Sequence, residues 1–349
     1  MSFKSNQMKL TAFSKILIIA LILGVLLFLY KKYEPTLQEK FGSNPNSEMQ
    51  TNAENPEAGT LPSSDGSNSS NQNNESTASS NSRTFSYSAP VPVNGKLKGV
   101  VELGAAGFNS FIVLIDDQKR WKLEKADFGS SLVHEKMVTD DDIRSGLKNY
   151  IRGMLDYGVA GKDIHFVVSS GAKNEEKVVK IAKGLKDIGY YVNEVTPQQE
   201  GTYGFQCVMP GSFEDKSFMV DMGSGNTKIA FKLNGKMTAL ETHGSKYFQK
   251  GISDAQVQTD VSKTVGQIPV NLRDYCFIIG GIPFEMAKEV RNGKERFTVL
   301  KAPTEYKPSG EKQKAGNVIY KAIADETGCN YFVFDWDANF TIGFLLGLK

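Results

Sequence analysis

Three stretches of this sequence join an apolar segment to a turn of small residues, an arrangement that suits phosphate binding. They read VVELGAAGFNSFIVLID from Val100 to Asp116, FMVDMGSGNTKIAF from Phe218 to Phe231 and FIIGGIPFEMAKEV from Phe277 to Val290. Because glycine lacks a Cβ, a ligand can approach the backbone N–H groups of such turns, and these groups can bind phosphate oxygens. Taken singly, each stretch also fits a tight hairpin or a strand-to-helix turn.

An acidic residue closes the apolar segment in the first two stretches, at Glu102 and at Asp221. A carboxylate in this position can hold Mg²⁺ through water and so offset the charge of a phosphate group. We therefore predict a Mg²⁺ site at Glu102 and Asp221, with phosphate bound by the turn residues beside them. The candidate phosphate-binding residues of these two turns are Gly104, Ala105, Gly223, Ser224, Gly225, Asn226 and Thr227.

Strands and helices alternate from about residue 91 onward, which is typical of an α/β fold. Three successive strands are predicted for KLKGVVEL, FNSFIVLID and RWKLEKADF, followed by a helix from about Asp140 to Tyr157 with Thr139 as its N-cap. The Asn-Gly in KLNGKM predicts a tight hairpin after the second glycine turn. Further predicted strands are IHFVVSS, YYVNEV, KSFMVDM, YCFIIGG and YFVFDW, and further helices are EEKVVKIAKGLKDIG and residues 200–208, 254–265, 283–291 and 311–326.

The amino-terminal part of the chain predicts a membrane anchor. The run ILIIALILGVLLFLY, from Ile16 to Tyr30, is uninterrupted and apolar and follows a short basic tail at residues 1–15. A cleaved signal peptide has the same pattern, but no small-x-small motif follows, so we predict a single-pass signal anchor over residues 16–32. Lysines flank both ends, and the charge rule favours only weakly an amino terminus inside and a domain outside the cytoplasm.

Residues 33–90 have the composition of a disordered linker. They are rich in Ser, Asn, Glu, Pro and Gly, with SSDGSNSSNQNNESTASSNS at their centre. Such a segment cannot bury enough apolar surface to offset the entropy lost on ordering. We divide the rest of the chain into two α/β subdomains, at residues 91–210 and 211–349.

Composition argues against several classes of function. Among 349 residues, 41 Lys and Arg balance 39 Asp and Glu, so the net charge of +2 does not indicate nucleic-acid binding. Cys207, Cys276 and Cys329 are widely spaced without a CxxC motif, and the three histidines have no metal-ligand spacing. We expect no disulfide framework, no zinc site and no nucleic-acid partner. A protein partner or a homo-oligomer stays open.

The order of these motifs resembles the actin-like ATPase superfamily, in which two similar α/β domains close over a nucleotide or polyphosphate. Within it, the chain most resembles the exopolyphosphatase and guanosine pentaphosphate phosphatase family. That family's second phosphate loop usually reads Asp-Ile-Gly-Gly-Gly-Ser-Thr-Glu, and the corresponding stretch here, DMGSGNTK, runs from Asp221 to Lys228. The family segment Ile-Ser-Gly-x-Glu-Glu-Ala corresponds to VTPQQEG at residues 195–201.

The resemblance implies roles for several residues and two actin-like subdomains with a phosphate-binding cleft between them. Glu200 corresponds to the family's catalytic base, and Asp221 would position Mg²⁺ for catalysis. Gly280 and Gly281 would face the far end of the bound ligand, as the adenosine-side glycines do in the superfamily. ATP or polyphosphate is the implied ligand.

The chain also departs from the family pattern. The family's first loop usually reads Asp-x-Gly-Ser-Asn-Ser, but here Glu102 replaces the aspartate and AAG at residues 105–107 removes the polar side chains. A phosphate-contacting arginine after the IHFVVSS strand is replaced by SSGAKNEE, with only Lys173 nearby. A lysine does not reproduce the bidentate fork of an arginine. Gln199 replaces the first of the family's two acids.

Two functions from different classes follow. The first is a membrane-anchored phosphatase or ATPase that hydrolyses a phosphoanhydride, with Glu200 as the base for water attack. The second is a catalytically degenerate relative that binds a nucleotide as the scaffold of a membrane protein complex. Glu200, Asp221 and the retained glycines favour the first, whereas the altered first loop and the missing arginine favour the second.

Overall fold

Two β-sheets dominate the part of the chain that the computed structural model describes, which comprises residues 85–104, 107–128 and 140–348. The predicted anchor, most of the predicted linker, Ala105 and Thr139 lie outside these residues. Within the described ranges, no helix is long and apolar enough to cross a membrane.

The first sheet carries the first glycine turn. Its strands are β1 Lys96–Gly104, β2 Gly107–Ile115, β3 Trp121–Asp127, β4 Ile164–Val168 and β5 Val192–Glu194, in the order β3-β2-β1-β4-β5. Helices α1, Asp140–Tyr157, and α2, Glu176–Asp187, lie in the connections on either side of β4. Val101 and Leu103 of β1 pack in one buried cluster with Leu147 of α1 and Val178 of α2, so these helices cover one face of the sheet.

The second sheet carries the other two glycine turns. Its strands are β6 Ser217–Met222, β7 Asn226–Leu233, β8 Lys236–His243, β9 Tyr275–Ile279, β10 Phe297–Val299 and β11 Tyr331–Asp335, in the order β10-β11-β9-β6-β7-β8. One face is covered by helices α4 Asp254–Val265, α5 Gly281–Lys288 and α6 Gly310–Thr327. Phe218, Val220 and Met222 of β6 point into this outer core, so the residues between them face the other way.

Helices α3, Pro197–Val208, and α7, Phe340–Gly347, join the two sheets. Phe205 and Phe344 pack in one cluster with residues of both sheets, among them Val100 of β1 and Met219 of β6. The two helices cross at backbone contact, because a Cβ added to Gly343 would collide with the carbonyl oxygen of Tyr203. This middle layer holds the inner faces of the two sheets on either side of α3 and α7.

The predicted α/β fold and its predicted strands are confirmed, with some corrections at the ends of elements. Helix α3 begins at Pro197 instead of Glu200, because Thr196 and Gln199 form a capping box. The final apolar segment contains a helix, α7, which was not predicted because the segment is uniformly hydrophobic. Strand β10 was not predicted either, because its three residues are too few to show a strand periodicity. The predicted linker extended to residue 90, but Phe85 and Tyr87 pack against Phe213 and Phe297 and belong to the folded unit.

Candidate phosphate-binding cleft

The alternation of side chains along each strand directs the charged residues of the candidate site to one region. In β1, Val100 packs against the middle layer, and Glu102 lies two residues further on the same face. In β6, Met219 faces the middle layer and Asp221 follows it by two residues. Lys228 of β7 likewise shares a face with Ala230.

The hairpins β1–β2 and β6–β7 have the same layout. Glu102 lies directly across from Asn109, and Asp221 lies directly across from Lys228. Each acid therefore has a polar partner on the neighbouring strand, beside the glycine turn that joins the two strands. The Asn109 amide Nδ2 donates to Glu102 Oε2 at 2.9 Å, and Lys228 Nζ lies 3.8 Å from Asp221 Oδ2.

The second glycine turn packs against the loop that follows β4. A Cβ added to Gly225 would lie 3.2 Å from the Cα of Gly171, so a side chain at Gly225 would require a small displacement of that loop. Asn226 Nδ2 donates to Ser170 Oγ at 3.1 Å and to Glu241 Oε1 at 2.7 Å. The turn is thereby held between the two sheets, and its residues Gly223, Ser224 and Gly225 line the open space beside it.

A cleft of about 450 Å³ lies between the glycine turns, a size suited to a small organic ligand. The predicted site residues that line it are Glu102, Gly104, Asp221, Gly223, Ser224, Gly225, Asn226, Gly280 and Gly281. Glu200 and Thr227 do not line it. Thr227 faces away, on the same side of β7 as Ile229, and its buried hydroxyl has no hydrogen-bond partner among the described residues. The roles proposed for all these residues remain predictions.

Glu200 is fully buried beneath the cleft, with an exposed fraction of 0%. Its Oε1 accepts from the backbone N–H of Ser170 at 2.6 Å, and its Oε2 accepts from Ser170 Oγ at 2.7 Å. Lys228 Nζ lies 2.5 Å from the same Oε2. Both carboxylate oxygens therefore contact protein groups, and Glu200 is not solvated although it lies in the first turn of α3.

Burial and charge act in opposite directions on this pair. Burial is the largest influence on Glu200 and raises the pKa of its carboxyl, although Lys228 lowers it. For Lys228, burial is again the largest single influence and lowers the pKa of the ammonium, but Asp221, Glu200 and Glu102 together outweigh it and leave that pKa raised. Lys228 is therefore a charged, buried cation surrounded by carboxyl groups.

Glu102 is held by two side-chain amides. Asn109 and Asn339 both donate through Nδ2 to Glu102 Oε2, at 2.9 and 3.0 Å. Asn339 also caps α7, since its Oδ1 accepts from the N–H of Thr341 at 2.9 Å. Burial raises the pKa of Glu102, and the negative charges of Asp221 and Glu200 raise it further.

The arrangement does not fit the predicted Mg²⁺ site. The ammonium of Lys228 lies 3.8 Å from Asp221 Oδ2, so a divalent cation on Asp221 would lie next to an existing positive charge. The carboxylates predicted to hold Mg²⁺ are thus shared with a lysine and with two amides.

Three of the residues that shape the site were not predicted from the sequence, namely Ser170, Lys228 and Asn339. Lys228 did carry a signal, because it follows Thr227 at the position where the resembled family has a glutamate. It also lies two residues before the buried Ala230 and therefore on an inward face. Lys173, the nearest basic residue to the family's arginine position, is exposed and does not line the cleft.

The two sheets, the paired glycine hairpins and the cleft between them define an actin-like fold. Similar solved structures include the Aquifex aeolicus PPX-GPPA enzyme, with a TM-score of 0.52 at 14% identity over 72% of this chain and 99% of that one. An exopolyphosphatase from Cytophaga hutchinsonii has a TM-score of 0.51 at 13% identity, over 73% of this chain and 99% of that one. No family model and no curated protein matches the sequence. The predicted resemblance is therefore confirmed at the level of the fold.

Proposed function

We propose that this protein binds a phosphate-containing nucleotide in its cleft and does not hydrolyse it, as the scaffold of a membrane protein complex. The glycine turns at residues 223–225 and 280–281 line the cleft. The N–H of Gly223 donates to the carbonyl of Asn226 within the hairpin, so the backbone N–H groups proposed to bind phosphate oxygens are those of Ser224, Gly225 and the turn at residues 280–281. The observation that carries the proposal is the state of Glu200. Glu200 has no exposed surface, and its two oxygens accept from Ser170 and lie against Lys228, so its carboxylate is directed at protein groups instead of at a water molecule in the cleft.

The charges of the cleft favour a nucleotide over a long polyphosphate. Among its described lining residues are two lysines, Lys228 and Lys312, and three acids, Glu102, Asp221 and Glu285. A chain of many phosphates needs more positive charge than this along its path. Aromatic side chains also line the cleft and can pack against the planar base of a nucleotide; they are Phe128, Phe284, Phe334, Trp336 and Phe340.

Binding and turnover are tested separately on the full-length protein in detergent. We expect a non-hydrolysable ATP analogue to raise the melting temperature and polyphosphate to have little effect. Asp221→Ala should weaken the shift, because Asp221 Oδ2 lies 3.8 Å from Lys228 Nζ and helps to hold that ammonium beside the glycine turn. No shift with any nucleotide would overturn the binding proposal.

Hydrolysis of a phosphoanhydride is the second candidate function. It is favoured by the closeness of Glu200 to the glycine turn, since Asn226 and Glu200 both hydrogen-bond to Ser170. The measurement is phosphate release from ATP, polyphosphate and guanosine pentaphosphate in the presence of Mg²⁺. We expect no release above that of a Glu200→Gln control, whereas release that this variant abolishes would establish the enzyme.

We further propose that residues 16–32 anchor the protein in a membrane as a single-pass helix, with the folded domain outside the cytoplasm. The proposal is supported by the apolar run from Ile16 to Tyr30 and the polar linker after it. Extraction with alkaline carbonate should leave the chain in the membrane fraction. Protease added to intact cells should cut the linker. Protection of the linker would indicate the opposite orientation, with the folded domain inside the cytoplasm.

A further inference from the structure

The ammonium of Lys228 lies directly beneath the second glycine turn. Its Nζ is 2.5 Å from Glu200 Oε2 and 3.8 Å from Asp221 Oδ2. A Cβ added to Gly223, the first residue of the turn, would lie 3.6 Å from the same Nζ. Lys228 also lines the cleft although only 4% of its surface is exposed, so the ammonium reaches the place where a phosphate on this turn would lie.

The ammonium retains hydrogen-bonding capacity for a ligand. A protonated lysine has three N–H donors, and the oxygen of Glu200 at 2.5 Å takes one of them. The separation of 3.8 Å from Asp221 is an ion contact and is too long for a hydrogen bond. A phosphate oxygen bound by the turn amides could therefore accept a charge-assisted hydrogen bond from Lys228.

The same position is where a metal ion would have to lie if it joined Asp221 to a phosphate. Mg²⁺ binds carboxylate oxygens at about 2.1 Å, so an ion on Asp221 would approach the ammonium within a few ångströms. Two neighbouring positive charges repel each other strongly in a partly buried site. Lysine and metal are thus alternatives at this site.

We propose that the Lys228 ammonium is the resident cation for the phosphate group, so that the cleft binds its ligand without a divalent metal. The inference rests on the proposed function, since it concerns how that same cleft binds the phosphate end of a nucleotide. It adds that the ligand is recognised as the metal-free anion.

The test measures affinity for a non-hydrolysable ATP analogue by calorimetry on the full-length protein in detergent, once in EDTA and once in excess Mg²⁺. Lys228→Gln alone would leave Glu200 buried without its partner and could fail to fold. The comparison is therefore made between Glu200→Gln and the double variant Glu200→Gln/Lys228→Gln. In the double variant both members of the pair are neutral, so neither leaves an unpaired buried charge. Lys232→Gln is the matched control, because Lys232 lies on the same strand but pairs with Glu214 outside the cleft.

We expect binding in EDTA, a change of less than about twofold on adding Mg²⁺, and a loss of about tenfold or more when Lys228→Gln is added to Glu200→Gln. Lys232→Gln should bind as the unmodified protein does. Binding that requires Mg²⁺ and is equal in the two Glu200→Gln proteins would overturn the inference and leave the proposed function standing. Absence of binding in both buffers would overturn both.

Discussion

At the scale of single residues, the main feature of the site is a buried ion pair between a helix residue and a strand residue. Glu200 and Lys228 lie on α3 and β7, and their charged atoms are 2.5 Å apart with almost no exposed surface. A buried charge is tolerated only when it is paired and hydrogen-bonded, as Ser170 and Asp221 help to ensure here.

Removing one member of this pair should destabilise the fold more than removing both. We expect Lys228→Gln to lower the free energy of unfolding by about 3–5 kcal/mol, because Glu200 is left as an unpaired buried acid. Lys228→Gln/Glu200→Gln should recover part of that loss. Urea unfolding of the three proteins measures the difference. Equal stability of the single and double variants would contradict the expected cost of leaving Glu200 unpaired.

Glu102 makes stability depend on pH. Burial, its largest influence, raises the pKa of this carboxyl in the folded state, and the opposing amides of Asn109 and Asn339 do not cancel that rise. An acid with a raised folded pKa adds stability below its ordinary value of 4.5, and that contribution is lost as pH rises through the folded pKa.

We therefore expect Glu102→Gln to become more stable relative to the unmodified protein as pH rises from about 4 to about 7. The urea midpoint of both proteins is measured across this range. Glu176→Gln is the matched control, because a hydrogen bond from Lys180 lowers the pKa of Glu176. Its stability relative to the unmodified protein should therefore fall, and not rise, as pH increases. If the urea midpoint of Glu102→Gln changed with pH in parallel with that of the unmodified protein, the raised pKa of Glu102 in the folded state would be contradicted.

At the scale of elements, helices α3 and α7 determine where Glu200 and Glu102 lie. Helix α3 carries Glu200 at its fourth residue, and α7 is capped by Asn339, which also donates to Glu102. The crossing at Gly343 brings these helices into backbone contact. Glu200 and Glu102 are thus positioned by one helix pair.

Gly343→Ala should disrupt this crossing, because its methyl group would collide with the carbonyl oxygen of Tyr203. We expect a loss of about 3 kcal/mol or more in unfolding free energy, together with weaker nucleotide binding. Gly347→Ala is the control on the same helix, where the added Cβ would lie at an ordinary 3.5 Å from the Tyr203 ring. Equal effects of the two substitutions would argue against close helix packing.

Much of this element pattern was predictable from the sequence, for physical reasons. Strands β1, β6 and β7 lie in the apolar segments next to the glycine turns, which the sequence shows directly. The Asn-Gly turn between β7 and β8 has the positive φ angles, 50° and 77°, that such a hairpin requires. Helix α7 was not predictable because FTIGFLLG is apolar on all sides. The burial of Lys228 was not predictable either, since it depends on Glu200, 28 residues away along the chain and on another element.

At the scale of the whole molecule, an aromatic cluster marks where the folded unit begins. The ring of Phe85 contacts Phe213, Tyr275, Phe277 and Phe297, with ring centroids 5.2 to 6.2 Å apart. The composition of residues 33–90 predicted a linker as far as residue 90, because the two aromatic residues near its end, Phe85 and Tyr87, are too few to form a periodic pattern.

Phe85→Ala should therefore destabilise the protein although it lies next to the linker. We expect a loss of about 2–3 kcal/mol, less than for a fully buried phenylalanine because Phe85 is half-buried. Val91→Ala is the control, since Val91 is 69% exposed. Thermal or urea unfolding compares the two, and equal midpoints would place the start of the folded unit further along the chain.

The position of Phe85 also has a mechanical consequence. It contacts Tyr275, the first residue of β9, whereas Ile279 at the other end of that strand lines the cleft. At about 3.3 Å per residue, the two ends are roughly 13 Å apart. A pull on the chain from its amino-terminal side therefore loads the aromatic cluster first. Under tension from that side, Phe85 would lose its contacts with the aromatic cluster before the glycine turns were deformed.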